Sequence, residues 1–326
     1  MIDTVWLMTR DFDLQRQNRF RIKQDISPAG EVERTKRYCN LSDDGAGKAV
    51  IEIRDMGGPV CLFNGSLPKM LFGHSLKEIG PSDYDRCIEE IGNQFTTAGV
   101  MVDKTAIPDM ELTRVDFCKN ITVEWPAVDY TSLLSSCLMG RMKSKHTPPY
   151  TALWRNGSRQ FTAYDKVQEI LSDKDQRQAS GLTAEAVHNV LRLESRVKGG
   201  AKGVRRQLPG STFGKLFSRD LALQRLLHDF DSLKVDPDAQ DRYKDATLSD
   251  LLQAGSTRRV NSHYAMKGLY DAVDGDVDRF RGLLESTGKG KRQVRRWVGR
   301  FMEFKDQQRA VRERDMLAEV RSKLTQ

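Results

Sequence analysis

Three short runs of the chain carry residues of the types that act on phosphate, spaced at every second position. In Leu112–Phe117, Leu112, Arg114 and Asp116 share one parity. In Leu191–Lys198, Arg192, Glu194, Arg196 and Lys198 share one, and in Gln160–Lys166, Thr162, Tyr164 and Lys166 do. A β-strand turns successive side chains to opposite faces. Each run therefore sets its charges on one face and its apolar residues (Val115, Phe117; Leu191, Leu193, Val197; Phe161, Ala163) on the other. A fourth run, Lys48–Arg54, sets Ala49, Ile51 and Ile53 against Val50, Glu52 and Arg54. A sheet with one solvated face gives such alternation by itself, but the mixture of types says more. Cleavage of a phosphodiester by tyrosine needs a phenol, which ionises near pH ~10 unless a cation or metal helps it. It also needs carboxylates for a divalent ion and Arg or Lys to neutralise charge on the phosphate.

The elements that position these residues divide the chain. The first 200 or so residues read as strand-rich, with turn signals at Asp43-Asp44-Gly45, Gly57-Gly58-Pro59 and Asn156-Gly157. One helix stands out there: Pro81-Ser82-Asp83 is a start signal, and Tyr84, Cys87, Ile88, Ile91 and Phe95 follow at helical spacing. After about residue 210 the pattern is helical, over Ser218–Lys234, Ala246–Gln253, Ser262–Asp271, Val277–Glu285 and Gln293–Gln308. The Gly-containing basic stretch Gly199–Gly210 is the expected linker. The expected fold class is α+β, an antiparallel-sheet nuclease domain over residues 1–205 covered by helices. A smaller all-helical domain, DNA-binding or accessory, follows over 206–326.

The chain of 326 residues has 53 Lys and Arg against 45 Asp and Glu, a formal charge of +8. The surplus is clustered: Leu191–Arg219 holds eight basic residues and one acid, and Thr287–Arg300 holds six and none. Nucleic acid is the expected partner. Arg114, Arg192, Arg196, Lys198, Arg205, Arg206, Lys291, Arg292, Arg295 and Arg296 are the candidate DNA contacts. In Gln293–Phe304, Val294, Trp297, Val298 and Phe301 lie on one side of an amphipathic basic helix, whose safest assignment is phosphate contact. No apolar run nears the ~18 residues of a membrane span, and the start has acids where a signal peptide is basic. Five Cys without a CxxC pair argue against a disulfide framework and a cysteine zinc site. The expectation is a protein of the cytoplasm that does not meet a membrane. Gly-Ala-Gly-Lys at 45–48 is too short for a nucleotide-binding loop.

The segments RQFTAYDK (Arg159–Lys166), LTRVD (Leu112–Asp116), LRLESR (Leu191–Arg196) and PKMLFGHSLKEIGP (Pro68–Pro81), with the opening MIDTV, resemble the gene II class of filamentous-phage replication initiators. The motifs run in the same order over the first 200 residues. The resemblance implies a rolling-circle endonuclease that nicks one strand at a phage or plasmid double-stranded origin. Its tyrosine, here Tyr164, would link to the 5′ end, leave a 3′ hydroxyl for a host polymerase, and later rejoin the strand. Lys166 would neutralise phosphate or move a proton. By residue type and shared face, Asp116 and Glu194 are the metal-ligand candidates, with Mg2+ or Mn2+ the ion that oxygen ligands suit. Related nucleases often carry a His-hydrophobic-His motif that this chain lacks, leaving His74 and Glu52 as possible substitutes. Partners implied are origin duplex and single-stranded product, with a host helicase and polymerase, in the host bacterial cytoplasm. The alternative is a non-catalytic origin-binding regulator of replication or transcription.

Overall fold

Strands with one dry face pair edge to edge until that face can be covered. In the computed structural model of the chain such strands form one large antiparallel sheet. The structure describes residues 1–26, 32–41, 49–55, 57–145, 151–183, 186, 189–234, 266, 269–270, 273, 275–286 and 291–325. The expected helix at Ala246–Gln253 and most of that at Ser262–Asp271 lie outside these residues, as does the turn signal Asp43-Asp44-Gly45. Two units are distinguished, Met1–Leu233 with Arg321–Gln326, and Lys234–Val320.

The first unit runs β1 (Ile2–Thr9), β2 (Asp13–Leu14), β3 (Arg21–Ile26), β4 (Val32–Asn40), β5 (Ala49–Asp55), β6 (Pro59–Ser66), α1 (Leu67–Phe72) and α2 (Tyr84–Ala98). It continues with β7 (Val100–Met101), β8 (Glu111–Thr122), α3 (Ala127–Ser135), β9 (Lys143–Ser144), β10 (Thr151–Arg155), β11 (Arg159–Asp165), α4 (Lys166–Ser172) and α5 (Lys174–Ser180). Then come β12 (Val190–Lys198), α6 (Gly200–Gln207) and α7 (Arg219–Asp231). The sheet order is β3-β4-β5-β6-β1-β8-β12-β11-β10-β9, and β2 pairs separately with β7. The fold is α+β, and the four runs expected from parity fall on β5, β8, β11 and β12, apart from Lys48, which lies outside the described residues, and Lys166.

One face of the sheet is dry. Val5, Leu7, Ile51, Phe63, Val115, Phe117, Trp154, Phe161, Leu193 and Val197 are all buried there. Helix α2, preceded by a 3-10 turn at Pro81–Asp83, buries Cys87, Ile91 and Phe95, and brings the Phe95 ring 5.6 Å from that of Phe63. The turn after α3 receives the Trp154 indole, whose Nε1 donates to the Cys137 carbonyl at 3.0 Å. Ser218 caps α7 by accepting from the Leu221 N–H. That helix fastens to the sheet through Asp229, 1% exposed, which accepts from Arg159 and Ser195 and lies 3.6 Å from Arg225.

Two expectations are corrected. The stretch Gly199–Gly210 is no linker: α6 occupies most of it, with Val204 and Leu208 buried against the sheet. Gly199 and Gly200 turn the chain out of β12 with φ of 115° and 68°, which glycine alone adopts without strain. Lys166 is not a strand residue either. β11 stops at Asp165, whose side chain caps α4 by accepting from the Gln168 N–H, so Lys166 opens a helix.

In the second unit α8 (Val277–Ser286) packs against α9 (Lys291–Thr325), whose last residues belong to the first unit. Its core joins Met266, Val273, Phe280, Leu284, Val294, Val298, Phe301 and Phe304, with the Phe280 and Phe301 rings stacked at 4.2 Å. Asp229→Ala leaves the partly buried guanidinium groups of Arg159 and Arg225 without their carboxylate. It is expected to cost about 3–5 kcal/mol in urea unfolding of the whole chain.

Candidate active site

The polar face of the sheet is built by register. Tyr164 on β11 stands opposite Arg192 on β12, which stands opposite Asn120 on β8. Two residues along, Thr162, Glu194 and Cys118 form the next row, and Gln160, Arg196 and Asp116 the third. Directly opposed residues share a face, so the parity of three separate segments becomes one cluster.

Arg192 is the centre of that cluster and is 0% exposed. Its Nη1 donates to the Ser75 carbonyl at 3.0 Å and to Asn120 Oδ1 at 3.2 Å. Its Nη2 lies 3.0 Å from Asp3 and its Nε 3.7 Å from Glu194. Burial opposes ionisation of Asp3, yet Arg192 and then Lys166 hold its carboxyl below the usual carboxylate range. Asp116, 1% exposed, accepts from Nε and Nη2 of Arg196 at 2.9 Å each and also from Arg114. Arg196 also reaches Glu194 at 3.2 Å.

Half-buried Tyr164 donates its hydroxyl to Glu194 Oε2 at 3.4 Å. Desolvation raises the phenol well above its ordinary range; Arg192 works against that rise, and the Glu194 charge adds to it. Glu194 is itself pushed up to about 7 by burial, then by Asp116 and Asp3. Lys166, 1% exposed, sits beneath this pair with its Nζ 5.6 Å from the Tyr164 ring centroid. It donates to Ser75 Oγ at 2.7 Å and to Glu169 at 2.6 Å, and burial followed by Arg192 lowers its pKa. Ser75 is held in turn by Gln176 Oε1, at 2.6 Å from its hydroxyl.

Other expected site residues stand elsewhere. His74 turns its Nδ1 to the Leu76 N–H at 3.2 Å, and burial, then Lys166 and Lys77, lower its pKa, so the ring serves its own loop as an acceptor. Glu52 on β5 is five strand steps from β11, roughly 24 Å away, and is engaged by Arg54 at 2.8 Å. Lys198 lies opposite Arg114 at the end of the cluster, Arg205 pairs with Glu111 at 2.7 Å, and Arg206 is exposed. Lys291, Arg292, Arg295 and Arg296 are exposed on α9 in the second unit. Asp3, Asn120, Ser75 and Gln176 complete the site without having been found in the sequence. For Ser75 a signal was present, since it directly follows the singled-out His74.

The donor set as placed does not fit a divalent ion. Both Asp116 oxygens are taken by arginines, and Glu194 is shared by Arg196, Arg192 and Tyr164. The carboxylates Asp3, Asp116 and Glu194 are matched in charge by Arg114, Arg192 and Arg196. Among the described residues no three His, Cys, Asp or Glu side chains gather as a metal site.

A sheet that sets one tyrosine among arginines and carboxylates on its polar face has the groups that phosphodiester chemistry uses. The chain belongs to the replication-associated gene II protein family, whose N-terminal model matches residues 1–202. It is thus a phage-type, DNA-replication protein of the gene II class, and DNA is the partner that membership implies. No curated protein matches the chain. Among the described residues no helix is long and apolar enough to cross a membrane.

Because the Glu194 charge opposes ionisation of the phenol, Glu194→Gln is expected to move the Tyr164 titration to lower pH. The shift is read as the ultraviolet difference between this variant and one that also carries Tyr164→Phe.

Proposed function

We propose that the chain starts rolling-circle replication by nicking one strand at a phage or plasmid double-stranded origin, with Tyr164 as nucleophile and Glu194 as its base. The observation that carries this reading is the Tyr164 hydroxyl donating to Glu194 at 3.4 Å beside the buried charge of Arg192. A base near pH 7 suits proton transfer at neutral pH, and such contacts are commonly long before substrate binds. Glu194 takes the phenol proton, and the Tyr164 oxygen bonds to phosphorus. The bond from phosphorus to the 3′ oxygen breaks, and that oxygen takes a proton from water. The products are a 5′-phosphotyrosyl link and a 3′ hydroxyl for the host polymerase. Closure runs the same steps backwards, with Glu194 returning the proton.

Arg192 and Lys166 offset the phenolate charge from inside the protein. Arg196 and Arg114, about one-fifth exposed, face the phosphate from the open side. Residues 1–205 carry the nicking and strand-transfer chemistry. The helical remainder, with Lys291, Arg292, Arg295 and Arg296, binds DNA backbone as an accessory. A host helicase unwinds the duplex, and the work is done in the host bacterial cytoplasm. The alternative, an origin-binding regulator without cleavage, has one observation in its favour, the upward shift of the Tyr164 phenol.

The deciding test is nicking of supercoiled origin plasmid, with and without added Mg2+ or Mn2+. Wild type is expected to give a relaxed circle and a denaturation-resistant 5′ adduct, and Tyr164→Phe neither while still binding. Binding with no nicking by wild type under any metal condition supports the regulator. A second expectation concerns pH. The base works ionised, so the single-turnover rate rises as pH passes through about 7. Glu194→Gln slows it about 10²–10⁴-fold and flattens that rise.

A further inference from the structure

The polar face does not end at the cluster. One row of directly opposed residues crosses six strands: Lys198, Arg114, Trp6, Asn64, Val50 and Asn40. All six side chains are partly exposed, while their strand neighbours Val197, Val115, Val5, Phe63, Ile51 and Cys39 are buried on the other face. At one strand spacing per step the row is roughly 24 Å long. It carries two cations at the end nearest Arg196 and Asp116, and no acid.

Trp6 is the unusual member. Large aromatic side chains are normally spent on the dry side of a sheet, and buried indole N–H groups normally find an acceptor. Trp154 obeys both rules, being 0% exposed with its Nε1 on the Cys137 carbonyl. Trp6 obeys neither. It stands on the polar face, its Nε1 has no acceptor among the described residues, and its ring is flanked by the Arg114 guanidinium at 5.3 Å from the centroid. A flat ring backed by an arginine, partly open, in a row that begins with cations is the arrangement that stacks unpaired bases while the basic groups track the phosphates. Duplex DNA offers no base face to such a ring.

We propose that this row is a single-stranded DNA track, on which Trp6 stacks an unpaired base and Arg114 and Lys198 meet the backbone. The assignment rests on the nicking reading for its biological setting, since the track would hold nucleotides flanking the attacked phosphate, but not for its test. The charge complementarity and the continuity of the row with the Arg196–Asp116 pair select the occupant.

The test is binding of oligothymidylate to the full chain, followed by fluorescence anisotropy across a salt series, with no cleavage required. Trp6→Leu is expected to weaken binding about tenfold or more, Trp6→Phe much less, and Lys198→Ala to lower the salt slope by about 1. In wild type, oligothymidylate quenches tryptophan emission, and Trp6→Phe, a variant that keeps an aromatic ring for packing, removes most of that quench. A quench that survives Trp6→Phe, or equal affinity of wild type and a folded Trp6→Leu, overturns the proposal. Loss of nicking in Tyr164→Phe bears only on the catalytic reading. A chain that binds oligothymidylate through Trp6 yet never nicks keeps the track and discards the endonuclease.

Discussion

A guanidinium group with no exposure to water lies in the middle of the sheet, and the site is organised around its charge. Arg192 cannot shed its proton and cannot reach solvent, so the chain surrounds it with Asp3, Glu194, Asn120 and the Ser75 carbonyl. Burying a charge is tolerated only when partners replace the lost water, and each partner is thereby fixed in place. β1, β8 and β12 are joined through it as well as through their backbones, and the loop after α1 is pinned to the sheet. The same positive charge is what lowers the cost of ionising Tyr164.

Around that centre the charges are arranged as a closed set rather than as free ligands. Asp116 is clasped by two arginines, and Lys166 is held by Ser75 and Glu169 beneath the phenol ring. Such a layer is rigid because removing any member strands a buried charge. Rigidity of this kind keeps the Tyr164 hydroxyl, the Glu194 carboxyl and their counter-charges in one geometry, and under the nicking function we propose little reorganisation would remain to be done on binding. The layer is polar throughout, whereas the opposite face of the same strands is the apolar core that gives the sheet its stability. Two tasks are thus divided between two faces of one backbone.

That division explains why much of the fold was legible in advance. Alternation in Leu112–Phe117, Gln160–Lys166, Leu191–Lys198 and Lys48–Arg54 reports burial of one face, and burial is a property that a single strand's sequence records. Helices α2 and α7 were legible for a similar reason, with apolar spacing in both and the start signal Pro81-Ser82-Asp83 before α2. Gly199–Gly210 misled because its glycines resemble a linker, while the two apolar residues that decide the matter, Val204 and Leu208, have value only against the sheet. Lys166 misled because the strand ends one residue earlier, where Asp165 turns from pairing to capping.

What the sequence determined by itself is the inventory: an α+β chain, charged strand faces, one tyrosine with a lysine two residues on, and a basic surplus. It did not determine who meets whom. Glu52 and Glu194 have the same local pattern, yet strand order leaves one five strands from Tyr164 and brings the other to its hydroxyl. Asp3, Asn120, Ser75 and Gln176 are ordinary residues in their own segments. The first three become site residues because Arg192 must be satisfied from elements more than 70 positions away in sequence, and Gln176 because it holds Ser75. Strand parity is local and is written in every run of residues. The partners of a buried charge are chosen by the order of strands in space, which only the folded chain decides.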